Sequence, residues 1–391
     1  MEPGDKRYVH VVDDGTDDRE ATEAEVEQRR VQAFSVGLEE EAYQLIHSQG
    51  WVFILGLLGI MPLAERLSYI TEQLAFYCGP KVGDLLNATF GNATELIVSI
   101  YALRTGRMQV VQLSLLGSLL SNLLFVLGMA FFSGGIVRKV QVFDKETAVV
   151  NSGLLLMAVM GLVFPASLHS TGTELHFGTS ELALSRVSSC VLILAYLVSI
   201  FFQLKNLNDM GGRTAEIFDG DEDEEAVPEI SKWEAVIWLA ITAAAISTLS
   251  EYLVDAIEGT SLAWGVPVTF ISVILLPIGG NTAAVTTSVM FAIKDKLDVS
   301  LGVAIGSSTQ ISMFIIPFCV VTGWLFGLPV DLNFQLFETA TLFMTVLFAA
   351  FIIHEGTSNY LKGVMLLFCY LLVAASYFVH GDPSSWLVIT Y

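Results

Sequence analysis

Long apolar stretches separated by short polar connections dominate the chain, and their lengths predict membrane-spanning helices. A helix needs roughly 20 apolar residues to cross the hydrocarbon core of a bilayer. Five such stretches occupy residues 51–77, 82–103, 109–134, 147–168 and 182–204. Five more occupy residues 233–256, 266–293, 300–326, 337–354 and 363–379. The pattern therefore predicts ten spans in two groups of five.

A short polar phrase interrupts the second span and returns in the seventh. Residues 91–95 read Gly-Asn-Ala-Thr-Glu, and residues 280–284 read Gly-Asn-Thr-Ala-Ala. A second polar phrase follows each asparagine after 25 residues, beginning at Gly117 and at Gly306. An odd number of spans in each group makes the second copy enter the membrane from the opposite side, so the repeat is expected to have inverted topology.

Composition agrees with this reading. The 391 residues are 53% hydrophobic and only 15% charged, and the mean hydropathy is +0.63. A soluble domain of this size is less apolar. The predicted fold class is therefore an all-α integral membrane protein with about ten transmembrane helices, arranged as two five-helix repeats of inverted topology.

The distribution of acidic residues divides the chain into domains. The net charge is −21, and much of the acid lies outside the apolar stretches. We expect an acidic, largely disordered tail at residues 1–50 and a first repeat at 51–205. An acidic linker follows at 206–231, then the second repeat at 232–380 and a short tail at 381–391. The acidic run in the linker either gathers cations near a pore mouth or is a solvated, flexible connection.

Lysine and arginine predict the orientation in the membrane. Most of them fall in connections after the odd-numbered spans: Lys81, Arg138, Lys139, Lys145, Lys205, Arg213, Lys232, Lys294, Lys296 and Lys362. This bias places those connections in the cytosol. The tail before the first span then begins on the opposite side without a signal peptide to carry it there. We expect either that a leading helix is missing or that the tail crosses by an unusual route.

The polar phrases supply oxygen atoms at membrane depth. On a helix, Asn92, Glu95 and Ser99 share one face. A carboxylate inside the bilayer is costly unless it faces a polar cavity, pairs with a cation or takes up a proton, so Glu95 is a functional candidate. Oxygen ligands suit calcium, manganese or magnesium. The predicted cation and proton site comprises Glu95, Asn92, Asn281, Ser118, Ser121, Ser307 and Gln310; for the neutral members, helix packing is the alternative role.

Two more carboxylates repeat between the halves. Glu72 and Glu251 each occur late in the span that precedes the polar phrase, in the contexts Thr-Glu and Ser-Glu. We predict that they lie on a proton or cation pathway, with hydration near the helix ends as the alternative. No nucleophile and base pair or metal-protease spacing occurs, so we predict no enzymatic activity.

These motifs identify a resemblance to a known family. Residues 85–99, the phrase at 280–281, and the stretches 306–314 and 356–360 resemble the cation/proton exchangers of the calcium/cation antiporter superfamily. The stretches 62–66, 76–80 and 331–334 are similar to its plant vacuolar branch. The resemblance covers almost all of residues 51–380. It implies a multi-pass protein of the vacuolar membrane that moves cytosolic Ca²⁺, and in some members manganese or cadmium, into the vacuole in exchange for H⁺.

The chain departs from this family at one site position. The resemblance places the second ion-binding glutamate where Ala284 stands, and Val285 replaces the histidine that follows it. With Glu95 alone, one positive charge of a divalent ion stays uncompensated in a medium where that is expensive.

Three functions follow from the sequence: a Ca²⁺/H⁺ antiporter, a monovalent cation/H⁺ exchanger, or a transport-deficient regulatory relative. We expect no cofactor and no nucleic-acid partner. The partners we expect are inorganic cations, protons and the bilayer, and association into homo- or hetero-oligomers with related exchangers remains open.

Overall fold

Helices build almost the whole of the computed structural model, which describes residues 17–78, 90–172, 179–209 and 228–380. The first half contains α1 (Asp17–Cys78), α2 (Ala93–Arg104), α3 (Met108–Val137), α4 (Lys145–Thr171) and α5 (Thr179–Asp209). The second half contains α6 (Lys232–Trp264), α7 (Val268–Gly280), α8 (Thr282–Ile293), α9 (Leu297–Leu325), α10 (Leu336–Ile353) and α11 (Tyr360–Val379).

Most of these helices are long and apolar enough to cross a membrane. Within the described residues eight helices pass that test individually, and α7 and α8 form a ninth span with a bend of 53° between them. Helix α2 is the described part of the remaining predicted span, whose residues 82–89 lie outside the described ranges. Large apolar side chains such as Phe201, Leu325 and Phe351 are exposed on the outer surface, as expected for contact with lipid.

Corresponding helices of the two halves begin a constant number of residues apart in the sequence. Helices α2 and α8 both have 12 residues, and they begin at Ala93 and Thr282, 189 positions apart. The same shift relates the first residues of α3 and α9, Met108 and Leu297. The repeat that was predicted from the polar phrases therefore extends to the bounds of the helices.

Helices α1 and α6 pack against each other along their lengths in opposite directions. Gly56 of α1 faces Leu253 of α6, whereas Tyr77, later in α1, donates a hydrogen bond of 2.6 Å to the carbonyl of Ile230, just before α6. Residue numbers rise in one helix as they fall in the other. This antiparallel arrangement agrees with two repeats of inverted topology.

Helices α3 and α9 form the centre of the molecule. In the most apolar 18-residue segment of α3, 83% is buried inside the protein. The corresponding share is 72% in α9 and 22–44% in the other continuous spans. A helix that is apolar on all sides is expected to be buried in this way. Both central helices contain π-helical turns, at Ser121–Val126 in α3 and at Gly302–Gly306 and Ile311–Ile315 in α9.

A small ladder joins two of the connections between helices. Strand β1 (Gln141–Val142) follows α3 and pairs antiparallel with β2 (Thr357–Ser358), which precedes α11. Both strands lie in connections that the charge bias assigns to the cytosol.

The first helix differs from the sequence expectation. The tail was expected to be largely disordered through residue 50, whereas α1 begins at Asp17. The physical reason lies in composition, since residues 19–33 are rich in Glu, Ala, Gln and Arg, which favour helix even without a buried face. The candidate membrane span within α1 is Ser48–Cys78. Residues 1–16, most of the linker (210–227) and the C-terminal tail (381–391) lie outside the described residues.

Candidate functional site

Both polar phrases coincide with breaks between helices. Asn92 is the residue before α2, and Asn281 separates α7 from α8. Glycine precedes each asparagine, and the polar asparagine side chain competes with helix formation. Neither asparagine side chain caps its helix, so both amides are available for contacts between the repeats.

The two amides make contacts across the repeat boundary. Asn92 Nδ2 donates to Gln310 Oε1 at 2.7 Å, and both residues are buried. Asn281 Nδ2 makes a longer contact of 3.5 Å with the carbonyl oxygen of Ser118. Each half thus sends its asparagine to the central helix of the other half.

Glu95 lies in the first turn of α2 and reaches toward the other break. A Cβ built on Gly280 would be 3.7 Å from Glu95 Oε1. The N-termini of α2 and α8 both lie at this centre.

A small cavity adjoins the Glu95 carboxylate. Its volume is about 30 Å³, enough for about two water molecules or a partly dehydrated ion. Thr94, Glu95, Ser114 and Ser118 are among its lining residues, Pro277 and Gly280 contribute the wall from α7, and the remaining lining is apolar. A carboxylate with neighbouring hydroxyl oxygens is a donor set that suits a hard cation such as Ca²⁺.

The predicted site residues fall into three groups. Glu95 and Ser118 line the cavity. Asn92, Gln310 and Asn281 hold the two repeats together beside it. Ser121 is fully buried and interacts with the hydroxyl of Tyr370, whereas Ser307 is half-buried. The assignment of these residues as cation ligands remains a prediction.

Glu72 and Glu251 do not line the cavity. Both are exposed on the outer faces of α1 and α6. Glu251 interacts with the hydroxyl of Tyr101, a residue of α2. Their role on a proton or cation pathway stays a prediction.

Ala284 occupies the position in α8 that corresponds to Glu95 in α2, with the shift of 189 residues. It is half-buried and packs against the apolar core. The centre therefore has two equivalent helix starts but a carboxylate on only one of them.

Sequence reasoning did not single out Thr94, Ser114 or Asn122. Thr94 adjoins Glu95, and Ser114 precedes Ser118 by four residues on α3, so helical spacing alone could have identified the latter. Asn122 is completely buried, and neither end of its amide has a partner among the described residues. Its place within the π-helical turn Ser121–Val126 could not be read from spacing.

The known proteins that this chain resembles are named as cation exchangers. The model of the family described as "Sodium/calcium exchanger protein" matches residues 48–205 and 234–379. Vacuolar cation/proton exchanger 5 of Arabidopsis thaliana is 64% identical over 350 residues, which cover 87% of this chain and 78% of that protein. Vacuolar cation/proton exchanger 2 of Oryza sativa subsp. japonica is 61% identical over 349 residues, covering 88% and 79%.

Solved structures support the same fold. The structure of native YfkE superposes with a TM-score of 0.70 at 32% identity, covering 84% of this chain and 92% of that one. An H⁺/Ca²⁺ exchanger named CAX superposes with a TM-score of 0.58 at 12% identity, covering 87% and 92%. At that identity the second similarity speaks for the fold alone.

Proposed function

The chain belongs to the sodium/calcium exchanger protein family, and we propose that it is a proton-coupled antiporter of the vacuolar membrane that moves cytosolic Ca²⁺ into the vacuole in exchange for H⁺. The vacuolar names of relatives such as Vacuolar cation/proton exchanger 5 support the location. The family and the superposition with native YfkE support transport rather than catalysis. Ca²⁺ and H⁺ are the transported substrates in this proposal, and no resident cofactor is part of it.

The placement of Glu95 carries the proposal. It is the acidic residue that lines the cavity, it lies at the start of α2, and it approaches Gly280 of the other repeat. A cation that arrives from the cytosol binds the ionised carboxylate and the oxygens of Ser118, Ser114 and Thr94. A proton from the acidic compartment neutralises Glu95, so the cation is released. One carboxylate thus serves both substrates, which couples the two fluxes.

The absence of a carboxylate at Ala284 determines how tightly the site is expected to bind Ca²⁺. A divalent ion beside two carboxylates is neutralised, whereas Glu95 alone leaves one positive charge in a medium of low dielectric constant. Neutral oxygens reduce this penalty but do not remove it. We therefore expect weaker Ca²⁺ binding by this chain than by a variant that carries a second carboxylate.

A monovalent cation/H⁺ exchanger is the second candidate, and Ala284 is the observation that favours it. One carboxylate neutralises one monovalent ion, so Na⁺ or K⁺ would leave no excess charge at Glu95. Competition between labelled Ca²⁺ and excess Na⁺ or K⁺ separates the two candidates.

The test is uptake of labelled Ca²⁺ into sealed vesicles that contain the chain, with an imposed proton gradient that is acidic inside. We expect uptake by the native chain, loss of uptake in Glu95→Gln, and an increase in Ala284→Glu. Ala284→Gln is the matched control, because it adds the same volume without the charge. Uptake only in Ala284→Glu would contradict the proposal and identify the native chain as a transport-deficient relative. Uptake of Na⁺ or K⁺ instead of Ca²⁺ would favour the second candidate.

A further inference from the structure

Two equivalent turns close the polar helices of the two repeats. The turn between α2 and α3 has Gly106 at a φ of 76°, and the turn between α8 and α9 has Asp295 at a φ of 63°. These residues are again 189 positions apart. The backbone path is thus the same at both places, but the side chains attach the two turns to different parts of the molecule.

The first turn is attached to α6. Arg107 donates a hydrogen bond of 2.6 Å from one guanidinium nitrogen to the carbonyl of Val254, and a second nitrogen lies 3.2 Å from Asp255 Oδ1. The hydroxyl of Tyr101 in α2 lies 3.4 Å from the other oxygen of Asp255. We call the ion pair and the bond to the carbonyl of Val254 the Arg107 clamp.

The second turn is attached to the end of α3 and to β1 instead. Arg138 forms an ion pair with Asp295. Gln141 Nε2 donates to Asp295 Oδ1 at 2.9 Å and to the carbonyl of Ala292 at 2.8 Å. This turn is therefore joined to the central helix bundle.

Within the described residues, no equivalent of the Arg107 clamp joins the second turn to α1. The position that corresponds to Arg107 is Lys296. Aligning Glu72 of α1 with Glu251 of α6 places Phe76 at the position of Asp255. Phe76 is exposed and offers no acidic partner to a lysine. Within the described residues, the clamp is therefore present in one repeat and has no counterpart in the other.

The clamp joins elements that also line the cavity beside Glu95. The cavity extends from Glu95 toward the α2–α3 turn, where Val98, Ser114 and Leu253 line it. These residues belong to α2, α3 and α6, the three elements that Arg107 and Asp255 bring together. On the other side of the centre, Thr287 and Val303, the counterparts of Val98 and Ser114, are half-buried, whereas Val98 and Ser114 are each only 7% exposed.

We propose that the Arg107 clamp holds closed the approach to Glu95 from the side opposite the cytosol, whereas the second turn has no matching contact with α1 among the described residues. The proposal rests on the proposed function only in taking Glu95 as the exchange site, and on the lysine and arginine bias for the sides. Asp255 is about half exposed, with 49% of its side chain accessible. Such ion pairs are weak, which lets this one break and re-form in every transport cycle.

Cysteine accessibility tests the proposal without requiring transport. The four native cysteines are replaced by serine, and one reporter is added on each side of the centre, Val98→Cys or Thr287→Cys. A membrane-impermeant thiol reagent is then applied to sealed vesicles from either side. We expect Asp255→Asn to raise labelling of the Val98→Cys reporter about fivefold, which corresponds to ~1 kcal/mol. Labelling of the Thr287→Cys reporter should fall, because the population of molecules open to the cytosol decreases.

Two further variants decide between a clamp and general loosening. Arg138→Gln removes an ion pair of the same type at the second turn, and we expect it to leave Val98→Cys labelling unchanged. Exchanging the charges, with Arg107→Asp and Asp255→Arg together, should bring labelling back toward the native rate. The proposal is overturned if Asp255→Asn leaves Val98→Cys labelling unchanged, if both reporters become more reactive together, or if Arg138→Gln has the same effect. Because labelling does not depend on flux, a chain that transports nothing would still give a result.

Discussion

Replacing Gly117 by alanine tests whether the close contact between α3 and α7 determines the geometry of the site. A Cβ at this position would lie 2.6 Å from Pro277 Cγ and 2.7 Å from Val273 Cα, and closer still to the carbonyl oxygen of Val273. Proline at 277 has no N–H, so it cannot donate the helical hydrogen bond to that carbonyl. The glycine lets α3 pack directly on this part of α7.

The magnitude follows from these distances. Carbon atoms in ordinary contact are about 3.5–4.0 Å apart, so α3 and α7 would have to separate by about 1 Å. Overpacking of this kind costs about 1–3 kcal/mol of stability. Pro277 and Gly280 line the same cavity as Glu95, so the separation also displaces one wall of the site. A misplacement of about 1 Å can lower the rate of a positioned step by about 10²-fold.

Thermal unfolding of the purified protein in detergent and cation uptake into vesicles measure the two effects. We expect Gly117→Ala to lower both the unfolding midpoint and the uptake rate. The matched control is Gly153→Ala, on the exposed face of α4, where an added Cβ meets no atom of the described residues within 4 Å. That control should be neutral or stabilising, since alanine favours helix over glycine. A Gly117→Ala variant with native midpoint and native uptake would refute the reasoning.

Two further predictions concern polar groups. Asn92→Ala and Gln310→Ala should each cost about 0.5–1.5 kcal/mol because each removes the hydrogen bond between these two buried amides, and a double-mutant cycle with no coupling would contradict a stabilising contribution of that bond. Burial raises the pKa of Asp331, although hydrogen bonds from Gln112 and Asn333 lower it. A carboxyl whose pKa is raised on folding destabilises the folded state once it ionises, so Asp331→Asn should raise the unfolding midpoint at about pH 7 and lose that gain toward about pH 4. A gain that is larger at the acidic end would show that burial is not the dominant effect.

Much of the fold could be predicted because its signals are local and periodic. Span lengths depend on bilayer thickness, so runs of apolar residues gave ten spans whose described bounds agree within about five residues, except at the start of α1 and at the C-terminal end of α6. The polar phrases at Asn92 and Asn281 were recognised from the sequence, but the helix break at Asn92 was not predicted, because Asn92 was expected to share a helix face with Glu95 and Ser99. The repeat could be recognised because both copies keep the same spacing, which the lengths of α2 and α8 confirm.

The parts that could not be predicted depend on contacts between distant residues. Arg107 and its acceptor Val254 are 147 positions apart, and no local pattern indicates which acid or carbonyl an arginine at a turn will meet. The same holds for the choice of Gln310 as the partner of Asn92, 218 positions away. The extension of α1 to Asp17 was not predicted, for another reason. The disordered tail was inferred from the lack of apolar surface, without regard to the helix propensity of its charged residues.

This chain departs from a symmetric exchanger at positions that are equivalent in the two repeats but carry different residues. If two inverted repeats were identical, the state open to one side would mirror the state open to the other, and the two would have equal free energies. A contact made in only one of them shifts the populations by its own free energy, and about 1.4 kcal/mol is a factor of ten. The Arg107 clamp is such a contact, because Lys296 and Phe76 cannot reproduce it. Glu95 opposite Ala284 is a second asymmetry, but it lies at the shared centre and therefore acts on the charge of the bound ion rather than on the direction in which the site opens.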